Sequence, residues 1–290
     1  MSASLPTPIV STDWLATHLG EAQLVVVDAS WYLAAMNRDA RAEYQAGHLP
    51  GAVYWDLDLL SDRSSPLPHM LPDPATLARE IGALGIATND RVVIYDASGV
   101  NLSAPRVWWT FKVAGHDAVA VLDGGLARWK AEGRPLEAGW ARRAPVRFEA
   151  RWRPALLKTL ADMRGLVEAG DWQILDARTR GRFEGTEPEP RPGLRGGHLP
   201  GARNLPFAEL LDPSGLLLPP AELRRRYEAA GVHLTRPIVA SCGSGVTACA
   251  LALGLELLGV APYAVYDGSW SEWGAQEGPA IEQGPARKTV

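Results

Sequence analysis

Short apolar runs recur along the chain at residues 24–27, 92–95 and 119–122, and again at 174–175, 238–240 and 263–266. They are rich in Val and Ile, bounded by turn residues and too short for helices. That pattern predicts buried parallel strands. Between them lie stretches of helical period at 74–84, 104–114, 221–230 and 247–258. Strand alternating with helix predicts an α/β layered domain in each half. In such sheets ligands sit beyond the carboxyl ends of the strands.

The pattern also repeats. Gly47-His48-Leu49-Pro50-Gly51-Ala52 recurs as Gly197-His198-Leu199-Pro200-Gly201-Ala202. Asp28, His48, Asp96 and Asp123 correspond to Asp176, His198, Cys242 and Asp267, at offsets of 148, 150, 146 and 144 residues. Collinear matches at nearly constant offset indicate a tandem duplication. The expected division is a first domain over 1–139, a linker over 140–157 and a second domain over 158–290. The start of the linker, WARRAPVRFEARWRP, has no hydrophobic period and five arginines, and reads as a strap laid over the surface.

Composition narrows the function. The 290 residues are 47% hydrophobic and 21% charged, which excludes a disordered or fibrous chain. A net charge of -4 with no basic block argues against a nucleic-acid partner. The most apolar stretch, 246–265, is broken by Gly254, Glu256, Gly259 and Pro262, so no membrane span is expected. The first lysine or arginine is Arg38, so no basic targeting segment is expected, and a cytoplasmic address is. Two cysteines are too few for a disulfide framework, so free thiols in a reducing compartment are expected. The scattered histidines show no metal-ligand spacing, and no cofactor is expected.

Chemistry concentrates after the fifth of these runs. Cys242-Gly243-Ser244-Gly245-Val246-Thr247 links a predicted buried strand to a predicted helix. Two glycines allow a tight loop whose backbone N–H groups face its centre, and the helix start adds its positive dipole end. A cysteine opening such a loop is expected to favour the thiolate and act as a nucleophile. Cys249 falls on the apolar helix face and reads as packing. Two other local readings exist. Gly243, Gly245 and Ala248 with Asp267 match a dinucleotide fingerprint, but only 23 residues follow Asp267, and Asp123 has no such fingerprint to serve. A thiolate phosphatase would place an arginine six residues after the cysteine, where Ala248 stands.

From about Asp13 to Gly278 the chain resembles the tandem-domain rhodanese sulfurtransferases, and its loop resembles that of the 3-mercaptopyruvate-using branch. The fold this implies is two tandem rhodanese-like domains, each a parallel sheet flanked by helices. Asp96 replaces the cysteine in the first copy, which resembles the inactive half of the family. Thiosulfate-using members carry basic residues after the cysteine, whereas Gly243 and Ser244 are uncharged. The segment Gly181 to Arg191 is similar to the family's substrate-binding segment. By that resemblance Arg182 and Arg191 hold the carboxylate and keto oxygen of 3-mercaptopyruvate. The residue types suit a small anion, which needs fork-shaped, permanently charged donors. Pairing of Arg191 with Glu187 or Glu189 is the plainer alternative.

The segments around Asp58 and His69 resemble the first-domain stretch that faces the active cleft. The resemblance aligns Asp58, His69 and Ser244 as a relay, against an ordinary loop histidine. His48 and His198 occur in both copies and read as structural. The implied reaction moves sulfur from 3-mercaptopyruvate to Cys242 as a persulfide, cradled by the N–H groups of Gly243, Gly245, Val246 and Thr247 and their neighbour Ser244. Pyruvate leaves, and thioredoxin, a small thiol or cyanide accepts the sulfur. A thiosulfate-preferring transferase and a non-catalytic sulfur carrier are the alternatives.

Overall fold

Two five-stranded sheets, parallel throughout, account for the duplicated pattern. The computed structural model describes residues 5–286. Its contacts divide the chain into two units. The first holds residues up to 64, 71–153 and 213–217; the second holds 65–70, 154–212 and those from 218 onward.

In the first unit the strands are β1 (Ile9–Val10), β2 (Leu24–Asp28), β3 (Val53–Tyr54), β4 (Arg91–Tyr95) and β5 (Val119–Leu122). Their order across the sheet is β1-β5-β4-β2-β3. The helices are α1 (Thr12–His18), α2 (Ala40–Ala46), α3 (Pro74–Ala83), α4 (Ala104–Val113) and α5 (Gly125–Ala131). Every residue of β2, β4 and β5 is buried, as continuous apolar strands covered on both faces must be. Asp73 caps α3 by accepting the N–H groups of Ala75 and Thr76, with Pro74 in the first turn.

The second unit repeats this plan with β6 (Leu157–Lys158), β7 (Gln173–Asp176), β8 (Arg203–Asn204), β9 (Ile238–Ser241) and β10 (Tyr263–Tyr266), in the order β6-β10-β9-β7-β8. Its helices are α6 (Leu160–Ala169), α7 (Arg180–Glu184), α8 (Pro220–Ala229), α9 (Ala248–Leu257) and α10 (Ser269–Trp273). β9 occupies the centre of the sheet, so the loop after it opens at the middle of the carboxyl edge. Among the described residues no helix is long and apolar enough to cross a membrane.

The duplication extends to single side chains. His48 Nδ1 donates to the Tyr44 carbonyl at 2.9 Å, and its ring stacks on Tyr44. His198 Nδ1 donates to the Phe183 carbonyl at 2.9 Å, and its ring stacks on Phe183. Each histidine also pairs through its backbone with a glutamate, Glu137 or Glu282. Both rings are buried, in agreement with a structural role.

All six expected strands form, extended by at most one residue at either end. The four additional strands are two residues long, too short for any period to register. The boundaries differ from expectation. Residues 140–153 lie within the first unit, where the Val146 N–H donates to Gly82 and Arg151 and Arg153 donate to Ala114 and Val113. Leu157, expected as the last residue of the linker, opens β6 with Lys158 and pairs with β10. The exchanged segments, 65–70 and 213–217, leave no mark in the hydrophobic pattern.

Candidate active site

The loop from Cys242 to Thr247 is fixed from behind by the start of α10. The Cys242 N–H donates to Ser269 Oγ at 3.1 Å, and the Cys242 carbonyl accepts the Trp270 N–H at 2.9 Å. The Gly243 carbonyl accepts the Ser271 N–H at 2.8 Å and its hydroxyl at 2.7 Å. Gly245 turns the chain with φ of 72°, a left-handed conformation suited to glycine. Val246 and Cys242 are buried beneath the turn. Among the described residues, the N–H groups of Gly243, Ser244, Val246 and Thr247 meet no protein acceptor, so the loop retains donors for an anion. Thr247 stands at the N-cap of α9, but its hydroxyl makes no capping bond, contrary to the role its residue type suggests.

The other copy shows what such a loop holds. There the Asp96 carboxylate accepts the N–H groups of Ser98, Ser103 and Ala104, each at 2.9 Å, and the Ser98 hydroxyl. A negative group of the chain itself fills the turn and caps α4. Cys242 occupies the equivalent place in the second unit, with a sulfur in place of a carboxylate.

Arg182, on α7, and Arg191 converge on this loop. A Cβ built on Gly243 would lie 2.9 Å from Arg182 Nη2 and 4.0 Å from Arg191 Nη1. The missing side chain thus makes room for two guanidinium groups beside the cysteine. Glu189, whose side chain is 3% exposed, accepts Arg182 Nη2 at 2.6 Å and Arg178 Nη1 at 2.7 Å. Arg178 is fully buried, donates from Nη2 to Asp176 at 2.6 Å and lies over the Trp270 ring. Burial alone would lower the Arg178 pKa, but the two carboxylates outweigh it and hold it above the usual value. Glu187 accepts the Thr179 hydroxyl, and Glu189 is engaged by Arg178 and Arg182; neither forms the Arg191 pair weighed from the sequence.

His69 and Ser244 both belong to the second unit, despite their distance in sequence. His69 Nδ1 lies 3.1 Å from Ser244 Oγ, and both residues are buried. His69 has φ of 62°, a left-handed conformation that costs a non-glycine residue about 1 kcal/mol or more. Asp58 lies in the first unit, where its Oδ2 accepts Trp31 Nε1 at 3.2 Å. Cys249 is buried in α9, its thiol directed at the Gly245 carbonyl at 3.2 Å.

The sequence singles out neither Arg178 nor Ser269, and offers Glu189 only as a partner for Arg191 rather than for Arg178 and Arg182. Ser269 carried a signal. It aligns with Gly125, and both adopt left-handed φ, 49° and 51°. A residue other than glycine in that conformation marks a local task, here the bond to the Cys242 N–H. Asp267, counted in the dinucleotide fingerprint, is buried, and its counterpart Asp123 accepts the Leu217 N–H at 3.0 Å, a structural duty in the loop.

Comparison with known proteins gives a consistent result. The rhodanese-like domain pattern matches residues 11–132 and again 159–276. The chain is 47% identical over 277 residues to human 3-mercaptopyruvate sulfurtransferase, spanning 94% of this chain and 93% of that one. It is 43% identical over 271 residues to bovine thiosulfate sulfurtransferase, spanning 91% of each. Among solved structures, the 3-mercaptopyruvate sulfotransferase SseA of Escherichia coli superposes with a TM-score of 0.84 at 39% identity, covering 92% of this chain and all of that one.

Proposed function

The chain belongs to the rhodanese-like family, and from that premise we propose that it is a 3-mercaptopyruvate sulfurtransferase working through Cys242. The observation that carries this reading is the pair of guanidinium groups, from Arg182 and Arg191, converging on an uncharged Gly243-Ser244 turn beside the cysteine. Two guanidinium forks, that of Arg182 held by Glu189, suit a carboxylate and an adjacent keto oxygen.

In the proposed reaction the Cys242 thiolate attacks the substrate sulfur. The carbon–sulfur bond breaks, and its electron pair stays on carbon as pyruvate enolate. A proton then converts the enolate to pyruvate; in this proposal the Ser244 hydroxyl, 3.1 Å from His69 Nδ1, relays it. The outer sulfur of the persulfide takes the N–H donors of Gly243, Ser244, Val246 and Thr247, as the Asp96 carboxylate takes those of its own loop. An acceptor thiolate, from thioredoxin or a small thiol, or cyanide attacks the outer sulfur and returns the Cys242 thiolate. The cytoplasmic address expected from the sequence belongs to the same proposal.

Thiosulfate as donor is the second reading, supported by similarity to a thiosulfate sulfurtransferase at 43% identity. The experiment supplies each donor with a thiol acceptor and follows pyruvate and sulfide. Pyruvate released from mercaptopyruvate, faster than sulfur transfer from thiosulfate, is expected. No pyruvate with the folded protein would refute the proposal.

A further inference from the structure

The structure assigns to Glu189 the role of a specificity-determining residue, one that lowers the positive charge at the loop by one unit and so favours a monoanionic sulfur donor over a dianionic one. This inference rests on the sulfurtransferase reading. Four side chains form a row of alternating charge, Asp176, Arg178, Glu189 and Arg182, each joined to the next by a charge-assisted hydrogen bond. The inner three side chains are 0–3% exposed, so their charges act through protein rather than through water. Asp176 and Arg178 offset one another. Glu189 then faces Arg182, whose guanidinium, 19% exposed on its side chain, is the member that reaches Gly243.

The geometry gives Glu189 two separable effects. Its Oε2 holds Nε and Nη2 of Arg182 at 3.2 and 2.6 Å, which fixes the direction of the guanidinium. Its charge offsets part of the field that Arg182 and Arg191 present to the loop. 3-Mercaptopyruvate carries one negative charge at neutral pH and thiosulfate carries two. Removing the Glu189 charge strengthens attraction for both donors, and twice as much for the dianion. Across the short, poorly solvated distances of this site, one added unit charge changes the ratio by about five- to tenfold.

The test compares Glu189→Gln, which removes the charge at nearly constant shape, with Glu189→Asp, which keeps the charge and shortens the arm. The reading is the ratio of kcat/KM for thiosulfate to that for mercaptopyruvate. Glu189→Gln is expected to raise this ratio about five- to tenfold, while Glu189→Asp raises KM for both donors and leaves the ratio near that of the unaltered enzyme. Equal losses with both donors in both variants would reduce Glu189 to a brace and overturn the assignment. The same proteins are titrated calorimetrically with pyruvate and with sulfate. If the unaltered protein formed no pyruvate from mercaptopyruvate, the functional reading would fall, while the mono- against dianion binding ratio would still decide the charge claim. Should Glu189→Gln fail to fold, Arg182→Gln at the exposed end of the row is expected to move the pyruvate-to-sulfate ratio in the opposite direction; an unchanged ratio there would overturn the claim as well.

Discussion

His69 Nδ1 stands 3.1 Å from Ser244 Oγ, although 175 residues separate them in the chain. The histidine reaches that position in a left-handed backbone conformation. Asparagine tolerates that conformation better than most residues, so His69→Asn removes the ring with little backbone penalty. We expect His69→Asn and Ser244→Ala each to lower kcat for pyruvate formation by about 10- to 100-fold. Steady-state kinetics at saturating donor check this. Unchanged kcat in both would confine the pair to packing.

The Asp96 carboxylate satisfies three backbone N–H groups and a hydroxyl inside the first unit. Asp96→Ala leaves those donors facing each other around an empty turn. The expected cost is about 2–4 kcal/mol, read by denaturant unfolding, with sulfur transfer per folded molecule unchanged. A loss of activity without a loss of stability would give Asp96 a chemical role.

Gly254 lies in the middle of α9, where alanine ordinarily favours a helix by about 1 kcal/mol. Here a Cβ would strike the hydroxyl of Tyr227, which is buried and donates to the Leu251 carbonyl at 2.7 Å. Gly254→Ala is therefore expected to destabilise the chain by about 1–3 kcal/mol. Urea unfolding distinguishes the two signs.

Burial holds the imidazoles of His116 and His198 below their usual pKa of 6.5. The unfolded chain takes up protons at a pH where the folded chain does not. Their contribution to stability is complete above pH 6.5 and declines as pH falls through that value toward the folded pKa. Unfolding free energies measured from about pH 7.5 down to about 5.5 are expected to fall. His116→Gln and His198→Gln should each flatten that slope. Slopes identical to that of the unaltered chain would contradict the assignment.

Much of this was legible because parallel strands buried on both faces write themselves as apolar runs. β5 and β10 were readable to the residue for that reason. The repeat located the reactive loop by showing Cys242 where the other copy has Asp96. Arg182 and Arg191 came from a motif, and the structure brings both to Gly243. What stayed hidden depends on contacts that no period encodes. Glu189 sits in a loop of alternating glutamate and proline, and only the folded chain shows it buried between two arginines. The placement of residues 65–70 in the second unit is likewise a long-range choice, made by packing rather than by local propensity. Four strands of two residues each owe their existence to neighbours already in place.

In the proposed reaction Cys242, and not Cys249, carries the transferred sulfur. The most direct test is mass spectrometry of the protein after exposure to mercaptopyruvate without an acceptor. One added sulfur atom is expected at Cys242 and none at Cys249, and it is expected to disappear when a thiol or cyanide is added. Sulfur found on Cys249, or a fully unmodified Cys242 in protein that has released pyruvate, would contradict this assignment.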